Sequence, residues 1–174
     1  PLEAVLVTLA GVAAGTINAV VGSGTLITFP TLLAFGVPPV TANVSNTVGL
    51  VPGSLSGVVG YRRELAGQRS RVLRLGSASF LGGVVGAVLL LVTPTRVFDS
   101  LVPWLILGAT LLFALSGLLA PMLTRRLATP GGRRHALAVT LLQFFVSIYG
   151  GYFGAGVGIM MLTVLSLMSL GDVH

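Results

Sequence analysis

Two stretches decide how this chain is read: Val20-Val21-Gly22-Ser23-Gly24-Thr25-Leu26 and, 132 residues later, Tyr152-Phe153-Gly154-Ala155-Gly156-Val157-Gly158. Each places a Gly-x-Gly break inside an uncharged, apolar run. The first break is preceded by an apolar piece at 4–21 and followed by a shorter one at 25–36. The second is preceded by 136–153 and followed by 159–170. Pieces of like length on either side of a like break, at one fixed separation, predict an internal repeat whose second copy is truncated. Glycine lets the backbone take turns that other residues resist, so each pair is expected to interrupt a helix.

The surroundings of the breaks set the solvent. Of the 174 residues, 54% are hydrophobic and 8% charged, and the mean hydropathy is +1.00. A soluble domain carries about 25% charged residues. A chain this poor in polar side chains cannot cover a water-facing surface, which excludes a soluble enzyme or a nucleic-acid-binding domain. The formal charge is +6, from ten arginines and four acids. The arginines cluster at 62–74 and 125–134, between apolar segments, with Arg96 apart. Short basic loops of this kind read as cytoplasmic ends of membrane helices, not as a nucleic-acid footprint. Cysteine is absent, so there is no disulfide, thiolate metal site or cysteine nucleophile. No charged leader with a cleavage site precedes the first apolar piece, which is read as part of the membrane domain.

Four runs hold no charged residue: 4–61, 75–95, 100–124 and 136–171. A helix needs about 20 residues to cross the hydrocarbon core. Residues 75–93 and 101–120 each suffice for one crossing, joined by a turn containing Pro94, Arg96 and Asp99. Residues 4–36 are expected as one broken helix, closed by the turn Gly36-Val37-Pro38-Pro39, and 41–60 as a helix kinked at Pro52. The 4–61 run admits three traverses with an incomplete middle one, or a re-entrant hairpin followed by one traverse. The expected fold is therefore all-α: a polytopic transmembrane helical bundle with inverted repeats and broken or re-entrant helices. Its units are a first repeat at 1–124, a basic cytoplasmic loop at 125–135 and the start of a second repeat at 136–174. Loops 61–74 and 121–135 are placed in the cytoplasm, and the chain in the inner membrane of a bacterium as a multi-pass protein.

Broken apolar helices at matching positions in two halves mark transporter binding sites. In lipid every backbone polar group needs a partner, so a break is tolerated only beside protein or a polar cavity. The half-helix that follows a break exposes unpaired N–H groups at its positive end, a ready site for an anion. The candidate substrate-binding residues are Asn18, Gly22, Ser23, Gly24 and Thr25 at the first break, Asn43, Ser45 and Asn46 beyond it, and Tyr152, Gly154, Gly156 and Gly158 at the second. Thr16, Thr28, Thr41, Thr47, Gln143, Ser147 and Tyr149 add uncharged polar groups nearby. Asn43 and Asn46 are open to a second reading, as caps of the helix after Pro39. Gly49, Gly53, Gly57 and Gly60, and Gly82, Gly83 and Gly86, are read as helix-contact glycines. No uncharged run holds an Asp, Glu, Lys or Arg, the usual intramembrane proton relays and metal ligands, and no catalytic set is visible. No cofactor, metal or enzymatic activity is expected. The expected partners are a small anionic substrate and the lipid bilayer, with self-association into a homo-oligomer left open and no nucleic acid.

The stretch Ala14–Pro30, the sequel Pro39–Gly49, the pieces Pro52-Gly53-Ser54 and Gly60–Glu64, and the second-half stretch Ser147–Gly158 resemble the signatures of the TauE/SafE sulfite exporter family, in order and at suitable spacing. The resemblance runs along essentially the whole chain. It implies an inner-membrane permease of inverted repeats that exports sulfite or related sulfur-containing anions such as organosulfonates by alternating access. An anion channel and a non-transporting membrane scaffold subunit are the alternatives that the residues themselves leave standing.

Overall fold

Gly22 ends the first helix by leaving helical space. Its φ is +71°, a region that L side chains rarely adopt. The computed structural model describes residues 2–22, 24–127 and 133–169. Helix α1 (Leu2–Val21) stops at this glycine, and α2 (Thr25–Ala34) starts just beyond it. The chain folds back, because Gly24 lies against the Ala14 carbonyl and 3.0 Å, measured from a Cβ built on it, from the Asn18 Cβ. With 10 residues, α2 is about 15 Å long, half a bilayer core. A second glycine turn, Gly36 at φ +77°, and Pro38 then launch α3 (Pro39–Gly60). Proline at the first helical position costs nothing, since that N–H has no helical partner. The long uncharged run thus resolves into two long helices with a short, returning one between them.

The remaining elements are α4 (Arg62–Leu65), α5 (Arg69–Val92), α6 (Thr95–Leu127), α7 (Arg133–Tyr152) and α8 (Val157–Ser169). Among the described residues there is no strand. Helices α5 and α6 are longer than the predicted 75–93 and 101–120. Arginine is a good helix former, so α5 continues into Arg69, Arg71 and Arg74 instead of stopping where the charges begin. Helix α6 starts six residues early because the Pro94 carbonyl already accepts from the Val97 and Phe98 amides. It also runs on to Leu127, and α7 begins at Arg133, so the predicted basic loop 125–135 is helical at both ends. Only α5, among the described residues, is long and apolar enough by itself to cross a bilayer.

Around the second break the chain repeats the fold-back. Gly154 at φ +80° and Gly156 at φ +73° separate α7 from α8. Helix α8 returns along α7, bringing Val164 into one cluster with Val139, Val146 and Leu75. The short helices begin at Thr25 and at Val157, which are 132 residues apart, as are Gly22 and Gly154.

The tightest seam joins α5 to α7. Leu75, Ala78, Gly82, Gly86 and Leu90 form one buried stripe along α5. A Cβ on Gly82 would stand 2.8 Å from the Ser147 Cβ, one on Gly86 2.8 Å from the Tyr152 nitrogen, and one on Gly151 2.9 Å from the Gly83 Cα. Close backbone approach through small residues is how helices associate in lipid, where apolar burial drives nothing. A second core gathers Phe29, Phe98 and Phe153 where α2, α6 and the second break meet. Phe29 and Phe153 stack edge to face at 5.1 Å and 85°.

Gly49, Gly53, Gly57 and Gly60 do not behave this way. A Cβ on any of them meets nothing within 4 Å. The expectation that they mediate helix contact is corrected for this chain: their side of α3 faces open space.

The outside is apolar. Leu91 is 82% exposed, Trp104 72%, Phe80 71% and Leu73 68%. The accessible surface is 11079 Å², against about 8,000 Å² for a compact soluble chain of this mass. Greasy side chains on a surface of that size are at rest in lipid and not in water. The fold is an all-α membrane bundle.

The glycine classes give a direct test. Gly86→Ala is expected to cost ~1–3 kcal/mol through overpacking against α7. Gly57→Ala, in open space in a helix, should be neutral or gain up to ~1 kcal/mol. Thermal unfolding in detergent should therefore lower the midpoint for the first and hold or raise it for the second.

Candidate functional site

The two breaks touch. A Cβ on Gly22 would stand 2.8 Å from the Gly158 Cα, and one on Gly158 would overlap the Gly22 carbonyl. No side chain fits between the two backbones, so both residues must be glycine for α1 and α8 to meet here. Beside this contact lies a cavity of about 450 Å³. Its wall includes Asn18, Gly22 and Thr25 from the first break, and Gly154, Val157 and Gly158 from the second. Thr47 and Ser54 of α3 close it on the third side.

Among the described residues, no ionisable side chain lines this cavity. Its electrostatics come from the backbone. Thr25 is the first residue of α2, and Val157 and Gly158 are the first two of α8, so two helix N-termini reach the same wall. No side chain caps α2, leaving its first N–H groups without that competitor. Two converging positive helix ends in a region without counter-charge favour an anion. The hydroxyls are less generous. Thr47 Oγ1 donates to the Asn43 carbonyl at 2.9 Å and Ser54 Oγ to the Leu50 carbonyl at 3.0 Å. Their hydrogens are engaged within the helix, as is common for Ser and Thr in membrane helices.

The remaining candidates fall elsewhere. Ser45 and Asn46, together with Asn18, line a separate cavity of about 520 Å³ between α1, α2 and α3. Gly24 is buried against α1 and serves the fold-back. Gly156 approaches Ala109 of α6 at 3.7 Å, measured from a built Cβ. The Tyr152 ring packs on Phe98 at 5.7 Å. Ser23 lies outside the described residues. Asn43 is 2% exposed, and its Nδ2 donates to the Tyr152 carbonyl at 3.0 Å. No side-chain hydrogen bond caps α3, so the capping reading of Asn43 does not hold. Its amide supplies a partner to a carbonyl at the end of α7, where the helix stops. Tyr149 does the same inside the break, donating its hydroxyl to the Ala155 carbonyl at 2.8 Å. At membrane depth such carbonyls find no water, so protein donors must take its place.

Gln143 and Ser147 sit in the α5–α7 seam, away from both cavities. Gln143 Nε2 donates to Ser79 Oγ at 2.7 Å, a polar tie between two apolar helices.

The family model described as Sulfite exporter TauE/SafE matches residues 7–174. The chain belongs to the TauE/SafE sulfite exporter family. It is 30% identical over 162 residues to a "Probable membrane transporter protein" of Haemophilus influenzae, covering 91% of this chain and 60% of that protein. It is 29% identical over 159 residues to the "Probable membrane transporter protein ORF9" of a Sinorhizobium species, covering 91% and 59%. The "Probable membrane transporter protein YfcA" of Escherichia coli K12 is 29% identical over 147 residues, covering 83% and 52%. The chain thus spans between half and three-fifths of the length of these relatives. No solved structure matches it.

In this TauE/SafE chain, Thr47 and Ser54 are the polar cavity residues outside the candidate site read from the sequence, Thr47 being named there only as a nearby polar group. Their spacing was the available signal: seven residues apart on a helix places them on one face, with Leu50, Val51 and Val58.

Two measurements probe the site's construction. Gly22→Ala and Gly154→Ala both force a side chain into φ above +70°, at ~1–2 kcal/mol. Only Gly22→Ala adds a clash with backbone, since the nearest atom to a Gly154 Cβ is 3.4 Å away. Thermal unfolding should rank Gly22→Ala well below Gly154→Ala. Asn43→Leu removes the donor to the Tyr152 carbonyl and should lower stability by ~1–3 kcal/mol, read as a lower unfolding midpoint in detergent.

Proposed function

We propose that this chain forms the binding region of a secondary membrane transporter that exports sulfite or related sulfur-containing anions, organosulfonates among them, by alternating access. The observation that carries the proposal is the contact of the two breaks at the wall of the 450 Å³ cavity. Family membership and the names of the relatives support the same reading. The anion sits in that cavity, held by N–H groups at the starts of α2 and α8 and by Asn18, with Thr25 beside it. A site without a formal positive charge binds an anion weakly enough to release it, which transport requires. The oxygen atoms of a sulfite or sulfonate suit a ring of N–H donors.

On this reading the helix–break–helix units α1–α2 and α7–α8 are corresponding parts of two inverted repeats, the second of them starting at 136–174, and one repeat rocks against the other about the glycine contact. Two smooth backbones can slide and pivot where interdigitated side chains would lock. The protein is multi-pass in the bacterial inner membrane, with the basic segments 61–74 and 121–135 in the cytoplasm. It works as a transporter and not as an enzyme.

The test is flux in liposomes carrying the purified full-length protein. Sulfite or methanesulfonate efflux should saturate with concentration and show counterflow. Asn18→Leu should cut the rate at least ten-fold while the protein remains folded by gel filtration and thermal unfolding. Absence of saturable flux for both anions would remove the proposal, and linear flux without counterflow would replace the carrier with a channel.

A further inference from the structure

Asn46 poses a problem that the break cavity does not solve. It is 7% exposed, and its Oδ1 accepts from the Thr28 hydroxyl, but its Nδ2 is buried with no partner. An unmet buried donor costs about 1–3 kcal/mol, and of the three buried polar side-chain atoms without a partner among the described residues (Asn43 Oδ1, Asn46 Nδ2 and Gln143 Oε1) this is the one donor. Asn46 lines the 520 Å³ cavity between α1, α2 and α3.

That cavity has a second peculiarity. Gly11 and Gly15 of α1 and Gly49 and Gly53 of α3 all line it. Helix glycines normally let backbones touch, yet a Cβ on any of these four meets nothing within 4 Å. Here the absent side chains leave volume in place of contact. Asn18 and Leu50 are the residues that line both this cavity and the break cavity. Helix α3 turns one face to each: Asn46, Gly49 and Gly53 to the first, Thr47, Val51 and Ser54 to the second.

We propose that the α1–α2–α3 cavity is a second binding station for the transported oxyanion, with Asn46 Nδ2 as its donor and Asn18 in the wall shared with the break cavity. The inference rests on the transporter reading above and extends it from one site to two in series. The anion's oxygen takes the hydrogen bond that Asn46 cannot make within the protein. A neutral donor holds it loosely, and Asn18 can bond it from either side during passage. Multi-site occupancy of this kind permits both entry and release. The glycines keep the station wide enough for a tetrahedral or pyramidal anion and its water.

Residues 1–174 hold no cysteine, so in a full-length protein cleared of any cysteine elsewhere a single one placed here reports locally. Ser45→Cys marks the second station and Ser54→Cys the break cavity, both at exposed positions. Their reaction with N-ethylmaleimide would be timed in the full-length protein in liposomes, with and without methanesulfonate. Methanesulfonate should slow modification several-fold at both. Adding Asn46→Asp, which still accepts from Thr28 but presents a carboxylate in place of the free amide donor, should abolish protection at Ser45→Cys, preserve it at Ser54→Cys and reduce sulfite flux about ten-fold. Protection at Ser54→Cys alone in the Asn46 background overturns the second station and leaves the break-cavity reading intact. Protection at neither removes both. Protection at Ser45→Cys that survives Asn46→Asp overturns the assignment of Asn46. The single-cysteine arms do not require Asn46→Asp to fold.

Discussion

Everything in this bundle is arranged around the contact between Gly22 and Gly158, where two interrupted helices meet backbone to backbone. An interruption in a membrane helix is costly because it frees N–H and carbonyl groups in a medium that offers no water. Bringing two interruptions together concentrates that polarity in one place, where a single cavity can serve both. The contact demands residues without side chains, and the left-handed turn at Gly22 demands the same residue for a different reason. Steric and conformational requirements therefore coincide at one position.

The polar groups around the breaks divide into those that complete the backbone and those left over. Asn43 and Tyr149 donate to the carbonyls of Tyr152 and Ala155 and so hold the second break in shape. The edge-to-face pair of Phe29 and Phe153 ties that break to the short helix after the first. Asn46 is joined to Thr28, one turn into the same short helix. Helix α3 thus reaches both breaks through two asparagines three residues apart, Asn43 toward the second and Asn46 toward the first.

Glycine has three uses here. In the α5–α7 seam it shortens the distance between helices, and the polar tie from Gln143 to Ser79 is affordable because the backbones are already close. At Gly22, Gly36, Gly154 and Gly156 it permits a backbone turn. On α3 it holds space open. The composition alone, 24 glycines in 174 residues, does not separate these uses, since each follows from what stands opposite the missing side chain.

By itself the sequence determined the solvent, the helical class, the two break positions and their 132-residue separation. These follow from local chemistry: hydropathy, glycine and proline conformational freedom, and the absence of charge over long runs. A stripe of small residues reads as a helix contact in both α3 and α5, and only the stripe on α5 meets a neighbour. Helix ends at Pro94 and around the arginine clusters were less legible, because arginine continues a helix as readily as it ends a membrane segment. Only the tertiary structure decided which glycines touch backbone and which face a void, and which asparagine is consumed by a carbonyl and which keeps a free donor. It also decided that Thr47 and Ser54 line the break cavity while Gly24, Gly156 and Tyr152 stand outside its wall. The reason is physical: a residue's propensity is carried by its own atoms, but whether its polar group is satisfied depends on a partner up to 109 residues away in the chain, as for Asn43 and Tyr152.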